Sequence, residues 1–525
     1  MKRIFKLIPV FFLLLSCSKS DFSIPEGSVT VSDSDLQHDM IVLGEKLDDP
    51  YTVANMTKAF ESLYPTKASR SYVTPTDYYV RILPSGEEQY RALKDKGLML
   101  IDHPLDYSIL REGDYYHDPS VPEGEITWQY AVVSPDFVFP DGIVWEKLDE
   151  CFLPEHQSPT KAGALIDWDA VEAESFRISG NALGAVSKGG GDSRPVGRIA
   201  IVDDDNGGEA EGVKGVMVCA NSFVRISTAY TDEDGCYTLP QTFNAESVRY
   251  RLVFTNEKGF NIGFNLLLVP SSISTLGKHG PEGVSIAVDR DSDRKLFTRC
   301  VVNNAGYDYC SQCSEEEGKI TPPPGDLRIW IFRELSRSAT LMLQQGVLVD
   351  GGLLADYLGQ YIDLVKKFLP DMFLGLKEKD DYRSIYAEAI HGFAHASHYS
   401  QVGSSWWTKY DKYILKTFAL SIGRDVYGSR SDSGSDYCEL AEMWAYYLQT
   451  SMIRERYSDP DAIFGTSWWF SPQILISLEE RGMDRLRLFN SFTEDVTDRE
   501  ILQERMLSLY PEFKSVIRQM FIRYN

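Results

Sequence analysis

Residues 384–403 read SIYAEAIHGFAHASHYSQVG and hold three of the chain's eight histidines within eight positions. At about 100° per residue on an α-helix, His391 and His395 project side by side one turn apart, and His398 falls near the same face about one turn further on. Nothing between Ser384 and Val402 breaks a helix, and Gly403 is a natural left-handed stop after the last polar turn. Two imidazoles four residues apart can close on one divalent cation. Zinc is the usual occupant of such a pair, with a third protein ligand from another helix and a fourth position left to water. The same spacing also arises as a hydrogen-bonded polar seam or a solvent-facing stripe.

The run His391-Gly392-Phe393-Ala394-His395 resembles the zincin metallopeptidase helix, H-E-x-x-H, with Gly392 in place of the glutamate. In zincins that glutamate moves the proton of the attacking water to the leaving amine, and glycine has no group that does either. General acid/base help of this kind is worth about 10²- to 10⁴-fold in rate. The resemblance therefore implies retained metal binding and impaired peptide hydrolysis, with no residue assigned a catalytic role. Glycine inside a helix also costs about 0.8–1.0 kcal/mol relative to alanine, so helix propensity does not explain Gly392. Glu388 lies one turn before His391 on an adjoining face and would have to reach forward to replace the missing base.

Residues 436–450, DYCELAEMWAYYLQT, read as a second helix, with Asp436 placed as its N-cap and Glu439 and Glu442 on neighbouring turns of one face. Gluzincins, the zincin subgroup this pattern most resembles, complete their site with a glutamate from a later helix. That resemblance implies Glu442 as third ligand, because it opens the apolar run Met443–Tyr447, with Glu439 as the alternative. His398 lacks the glycine turn and later histidine of metzincins and reads as a packing residue. Tyr410, Tyr437 and Tyr446 are each able to steady an oxyanion, and the sequence does not choose among them.

The chain opens MKRIFKLIPVFFLLLSCSKSD, with Lys2, Arg3 and Lys6 ahead of an apolar core and then Leu14-Leu15-Ser16-Cys17. This reads as a secretory signal, and it resembles a bacterial lipoprotein box in which Cys17 carries the lipid. The expected location is the bacterial cell envelope, anchored by acyl chains at the outer membrane, with the periplasmic or surface-exposed face left open. A hydrophobic content of 43% supports folded cores, while 53 Lys and Arg against 77 Asp and Glu give a net charge of -24. Such acidity argues against a nucleic-acid partner, whose footprint is basic. Besides Cys17 there are seven cysteines, an odd number for an exported chain; Cys219 and Cys236 lie in adjacent predicted strands that could bridge, and Cys310 and Cys313 form a lone C-x-x-C.

The expected fold class is a multidomain α+β protein. After the signal and lipobox (1–17) and a polar tether (18–50), residues 51–150 read as a small α/β module. In it Tyr78–Leu83 and Leu98–Ile101 are strands flanking a helix at Ser85–Lys96, a βαβ-like unit. Residues 151–195 hold a helix, DWDAVEAESFRISG, and a glycine-rich linker. Residues 196–270 alternate short apolar strands with Gly and Asp turns, as a β-sandwich does. This segment is similar to the transthyretin-like, carboxypeptidase-regulatory domain: Gly197–Val202 matches its opening strand, Gly212–Val218 its GVxGV-type strand, and Thr231–Tyr237 its T-D-x-D-G-x-Y turn. The acids of that turn suit a hairpin, or calcium. A connecting segment (271–325) leads to a mainly helical zincin-like domain (326–525), in which RIWIFRELSRSATLMLQQGVL already reads as helical.

Together these readings describe an envelope lipoprotein whose degenerate metallopeptidase-like domain binds zinc, a polypeptide, or both, with little or no proteolysis. Two alternatives stand beside it: an active zinc peptidase with a non-standard general base, and a non-catalytic surface adhesin or glycan-binding component.

Overall fold

The computed structural model describes residues 40–67, 72–122, 124–157, 166–181, 194–263, 272–314, 320–332, 335, 337–359, 362, 365, 368–377, 379–421 and 425–524. The lipobox with Cys17, most of the tether and the core of the glycine-rich linker lie outside them. The chain is mixed α+β, with several sheets followed by a helical C-terminal region. No helix among the described residues is long and apolar enough to cross a membrane.

The N-terminal part runs β1 (Val42–Lys46), α1 (Val53–Leu63), β2 (Asp77–Leu83), α2 (Glu87–Asp95), β3 (Tyr107–Arg111), β4 (Gln129–Val133), β5 (Val144–Cys151) and α3 (Trp168–Ile178). Strand β2 and helix α2 form where the apolar spacing places them, but the βαβ reading is corrected. Both neighbours of β2, namely β4 and β5, run antiparallel to it, and the 98–101 stretch contributes only an isolated bridge, Ile101 to Tyr130. A short apolar run beside a helix does not reveal strand direction, which is set by pairing partners distant in sequence.

Next come β6 (Val196–Val202), β7 (Ala210–Gly212), β8 (Val216–Ser222), β9 (Arg225–Tyr230), β10 (Cys236–Thr238), β11 (Val248–Asn256), β12 (Phe260–Gly263), β13 (Ile273–His279) and β14 (Ile286–Val288). They divide between a four-stranded sheet, in which β6 pairs with β7, β10 and β14, and an eight-stranded sheet containing β8, β9, β11, β12 and β13. Ile199 and Ile201 from the first and Val218 and Leu252 from the second are buried in one core. The 231–237 turn is not a simple hairpin, because β9 stays in the larger sheet while β10 pairs with β6. Asp232 is spent on the turn itself, accepting from the backbone N–H groups of Asp234 and Cys236 at 3.0 and 2.8 Å. Cys219 and Cys236 therefore sit in different sheets; both are free thiols, which corrects the expected bridge.

Helix α4 (Arg294–Ser314) follows, then β15 (Leu327–Phe332), β16 (Ala339–Thr340), α5 (Gly351–Leu358) and β17 (Met372–Gly375). The helical reading of 328–332 is corrected: these residues form β15, parallel to β12 on one side and β17 on the other. The larger sheet accordingly runs β16-β17-β15-β12-β11-β8-β9, with β16 antiparallel at its edge. A strand buried on both faces loses its alternation, and Leu327, Arg328, Ile329, Trp330 and Phe332 are all buried, so periodicity cannot tell it from a buried helix.

Helix α6 (Tyr382–Leu420) carries the histidines and α7 (Ser435–Tyr457) packs along it, ahead of α8 (Gln473–Glu479), α9 (Arg485–Phe489), α10 (Arg499–Leu509) and α11 (Lys514–Arg523). Arg456, near the end of α7, ties this region to the small sheet. Its guanidinium donates to Asp203 at 2.8 Å and to Glu211 at 2.5 Å, and lies 4.7 Å above the rings of Tyr382 and Tyr386. Since Asp203 is itself 2% exposed, removing the cation strands a buried carboxylate. Arg456→Ala is therefore expected to lower stability by about 3–5 kcal/mol, with Arg456→Lys intermediate, as measured by denaturant unfolding.

Candidate metal centre

Asp381 caps the first turn of α6, its carboxylate accepting from the Ser384 N–H at 2.8 Å, and the helix then runs unbroken to Gly403. There the backbone turns to φ 78°, a left-handed conformation that glycine adopts without a side-chain penalty. A second helical stretch starts immediately instead of a loop, so the expected stop is a kink. The kink folds Trp407 and Tyr410 back toward the histidines: the His395 ring centre lies 5.7 Å from that of Trp407 and 5.5 Å from that of Tyr410. The Trp407 indole N–H donates to the Thr340 carbonyl at 2.9 Å, fixing the edge strand β16 above them.

Helix α7 starts one residue earlier than its sequence reading. Gly434 is the N-cap and Asp436 lies inside the first turn, where its charge still complements the helix dipole. Glu442 and Gln449, two turns apart, face α6. The His391 and His395 Nε2 atoms lie 3.0 Å apart, His391 Nε2 lies 3.2 Å from Glu442 Oε2, and His395 Nε2 lies 3.4 Å from Glu442 Oε1. Among the described residues these three form a group able to hold a metal ion, with ligand atoms all within 4.8 Å of one another. Ligands about 2.0–2.2 Å from a tetrahedral ion stand about 3.3–3.6 Å from each other, so the observed edges are near those of such a site. All three donors line a cavity that opens in part to solvent.

The surroundings fix these donors. Tyr410 donates its hydroxyl to Glu442 Oε1 at 2.7 Å, and the Gln449 side-chain oxygen lies 3.2 Å from His391 Nδ1. An Nδ1–H donated to Gln449 leaves the His391 Nε2 lone pair free for a cation. Burial alone would raise the Glu442 carboxyl, yet His395 and His391 beside it hold it well below the usual carboxylate range. Burial likewise opposes charge on His391, but the hydrogen bond and charge of Glu442 outweigh it and raise that imidazole; in His395 burial wins and the shift is downward. The centre is thus a carboxylate stabilised by two imidazoles of unequal basicity.

Of the other residues singled out in the sequence, some lie apart from this point and some line its cavity. Glu439 is buried in ion pairs with Arg430 at 2.9 Å and Arg499 at 3.0 Å, so the alternative ligand is committed elsewhere. His398 is enclosed by Trp406, Trp407 and Phe492, and burial pushes its imidazole down to about 3. Tyr437 packs on Trp406 and accepts from Lys409, while Tyr410 and Tyr446 line the cavity. Cys310 and Cys313 are free thiols on α4. The sequence reading missed Gln449, Tyr427 and Thr340. Gln449, seven residues after Glu442, could have been found from the stripe they share on α7; Tyr427 and Thr340 arrive from loop and edge strand with no local signal.

No protein-family model, curated protein or solved structure matches the chain. Removing the groups that hold the carboxylate and the His391 imidazole tests the centre directly. Tyr410→Phe and Gln449→Leu are each expected to weaken binding of a divalent metal about tenfold or more, as measured by competition with a chromophoric chelator.

Proposed function

We propose that the chain is a lipid-anchored protein of the bacterial cell envelope, in which a transthyretin-like sandwich precedes a degenerate gluzincin-like domain. That domain binds zinc and a polypeptide with little or no proteolysis. The observation that carries the reading is the convergence of His391, His395 and Glu442 beside an open cavity. Two imidazoles and one carboxylate are a donor set of catalytic zinc sites, and zinc bound there would supply Lewis-acid polarisation of a ligand carbonyl. The chain's own part is to orient the donors through Tyr410 and Gln449 and to hold the ligand against the wall formed by Thr340 and Tyr446.

The weak proteolysis follows from Gly392. A Cβ at this position would come 2.3 Å from the Met372 methyl group of β17, so a thioether from the sheet occupies the space where a zincin carboxylate begins. The glycine admits this close approach of helix and sheet.

Elemental analysis of the full chain is expected to find one zinc, lost in His395→Ala. The wild type is expected to hydrolyse a broad peptide library no faster than that variant. Because the Met372 side chain must make room, Gly392→Glu combined with Met372→Ala is the restoring variant, with an expected gain of about 10²-fold or more. Wild-type hydrolysis that His391→Ala abolishes would defeat the proposal of a degenerate centre, and a zinc-free wild type would defeat the metal site.

A further inference from the structure

The cavity has two kinds of wall. Beyond the metal donors, Leu374, Ile414, Leu415 and Val426 supply buried apolar surface, and the polar groups that remain are engaged with one another. Tyr357 donates to the Arg337 carbonyl at 2.7 Å, Tyr427 and Tyr446 share a hydrogen bond of 3.2 Å, and the Ser338 hydroxyl accepts from the Gly375 N–H at 3.0 Å. Glu388 is the exception. It lines the same cavity, half-buried, and among the described residues no hydrogen bond or ion pair engages its carboxylate.

From this arrangement we infer that Glu388 is a specificity residue that receives the cationic end of a lysine- or arginine-type side chain of the bound polypeptide. The inference rests on the zinc and polypeptide reading above. Three residues before His391, Glu388 lies about 4.5 Å back along the helix axis, so it stands behind the metal donors instead of beside them. A base would be needed at position 392, where Met372 fills the space. A carboxylate in a cavity that also has apolar lining matches a ligand group with a methylene stem and a charged tip. The stem covers the apolar lining, and the ammonium or guanidinium meets the cavity's carboxylate that has no hydrogen-bond or ion-pair partner among the described residues. A fully apolar side chain would leave that carboxylate partly desolvated and unpaired, and an acidic one would face it with like charge. Arg337 stands exposed nearby and acts on Tyr357 and Tyr446 in the opposite sense to Glu388, yet it forms no ion pair with it among the described residues.

The test uses three probes with the same chelating group, lysine, norleucine and glutamate hydroxamate, titrated calorimetrically into the zinc-loaded full chain. Lysine hydroxamate is expected to bind about tenfold more tightly, the advantage being limited by the partial exposure of the carboxylate. Glu388→Gln is expected to erase that preference while zinc content stays at one per chain. Equal affinities in the wild type, a preference that survives Glu388→Gln, zinc-loaded protein that binds neither probe, or tighter binding of glutamate hydroxamate through Arg337 would each overturn the inference. A chain that takes up no zinc fails at the earlier reading and takes this one with it; a zinc-loaded chain indifferent to the ammonium fails here alone.

Discussion

A carboxylate buried at 1% exposure must be neutralised, and the structure around Glu442 is arranged to do so. Two imidazoles approach it from α6, Tyr410 donates from beyond the kink, and these partners keep it ionised despite burial. Each partner depends on a different part of the fold. The imidazole pair requires a regular helix from Asp381 to Gly403, Tyr410 requires the left-handed residue at Gly403, and Glu442 requires α7 to lie against α6. Charge neutralisation at one point therefore constrains helix length, kink position and helix pairing together.

The sheet supplies the remaining constraint. The Met372 side chain of β17 reaches α6 at Gly392, and Thr340 on β16 holds Trp407 through its carbonyl. A side chain at position 392 would meet the Met372 methyl group, so this turn of α6 lies in contact with the sheet. The glycine there, unfavourable by helix propensity, leaves room for that methyl group.

Much of the centre was legible because helical periodicity is local. The spacing of His391 and His395, the burial of Glu442 ahead of an apolar run and the glycine break at 403 follow from residues within a few turns of each other. What was not legible depends on distant pairing. The strand character of 327–332 is hidden because both faces are covered, the antiparallel direction of β4 and β5 is fixed only by their register with β2, and the separation of Cys219 from Cys236 reflects which sheet each strand joins. Glu388 falls between the two cases: its position one turn before His391 was plain, but the cavity it faces is made by Leu374, Ile414 and Val426, which no local pattern brings together.

The parallel pairing of β12 with β15 also bears on how the protein can be taken apart. A fragment cut at the seam near residue 326 would keep β15 and β17 but leave one long side of β15 with bare amide and carbonyl groups beside Ile329 and Trp330. Such an uncovered, apolar margin is a template for self-association. Excising the helical region for separate study would therefore yield aggregates, and since β12 pairs with β11 and β11 in turn with β8 and β13, moving the cut upstream only moves the bare edge.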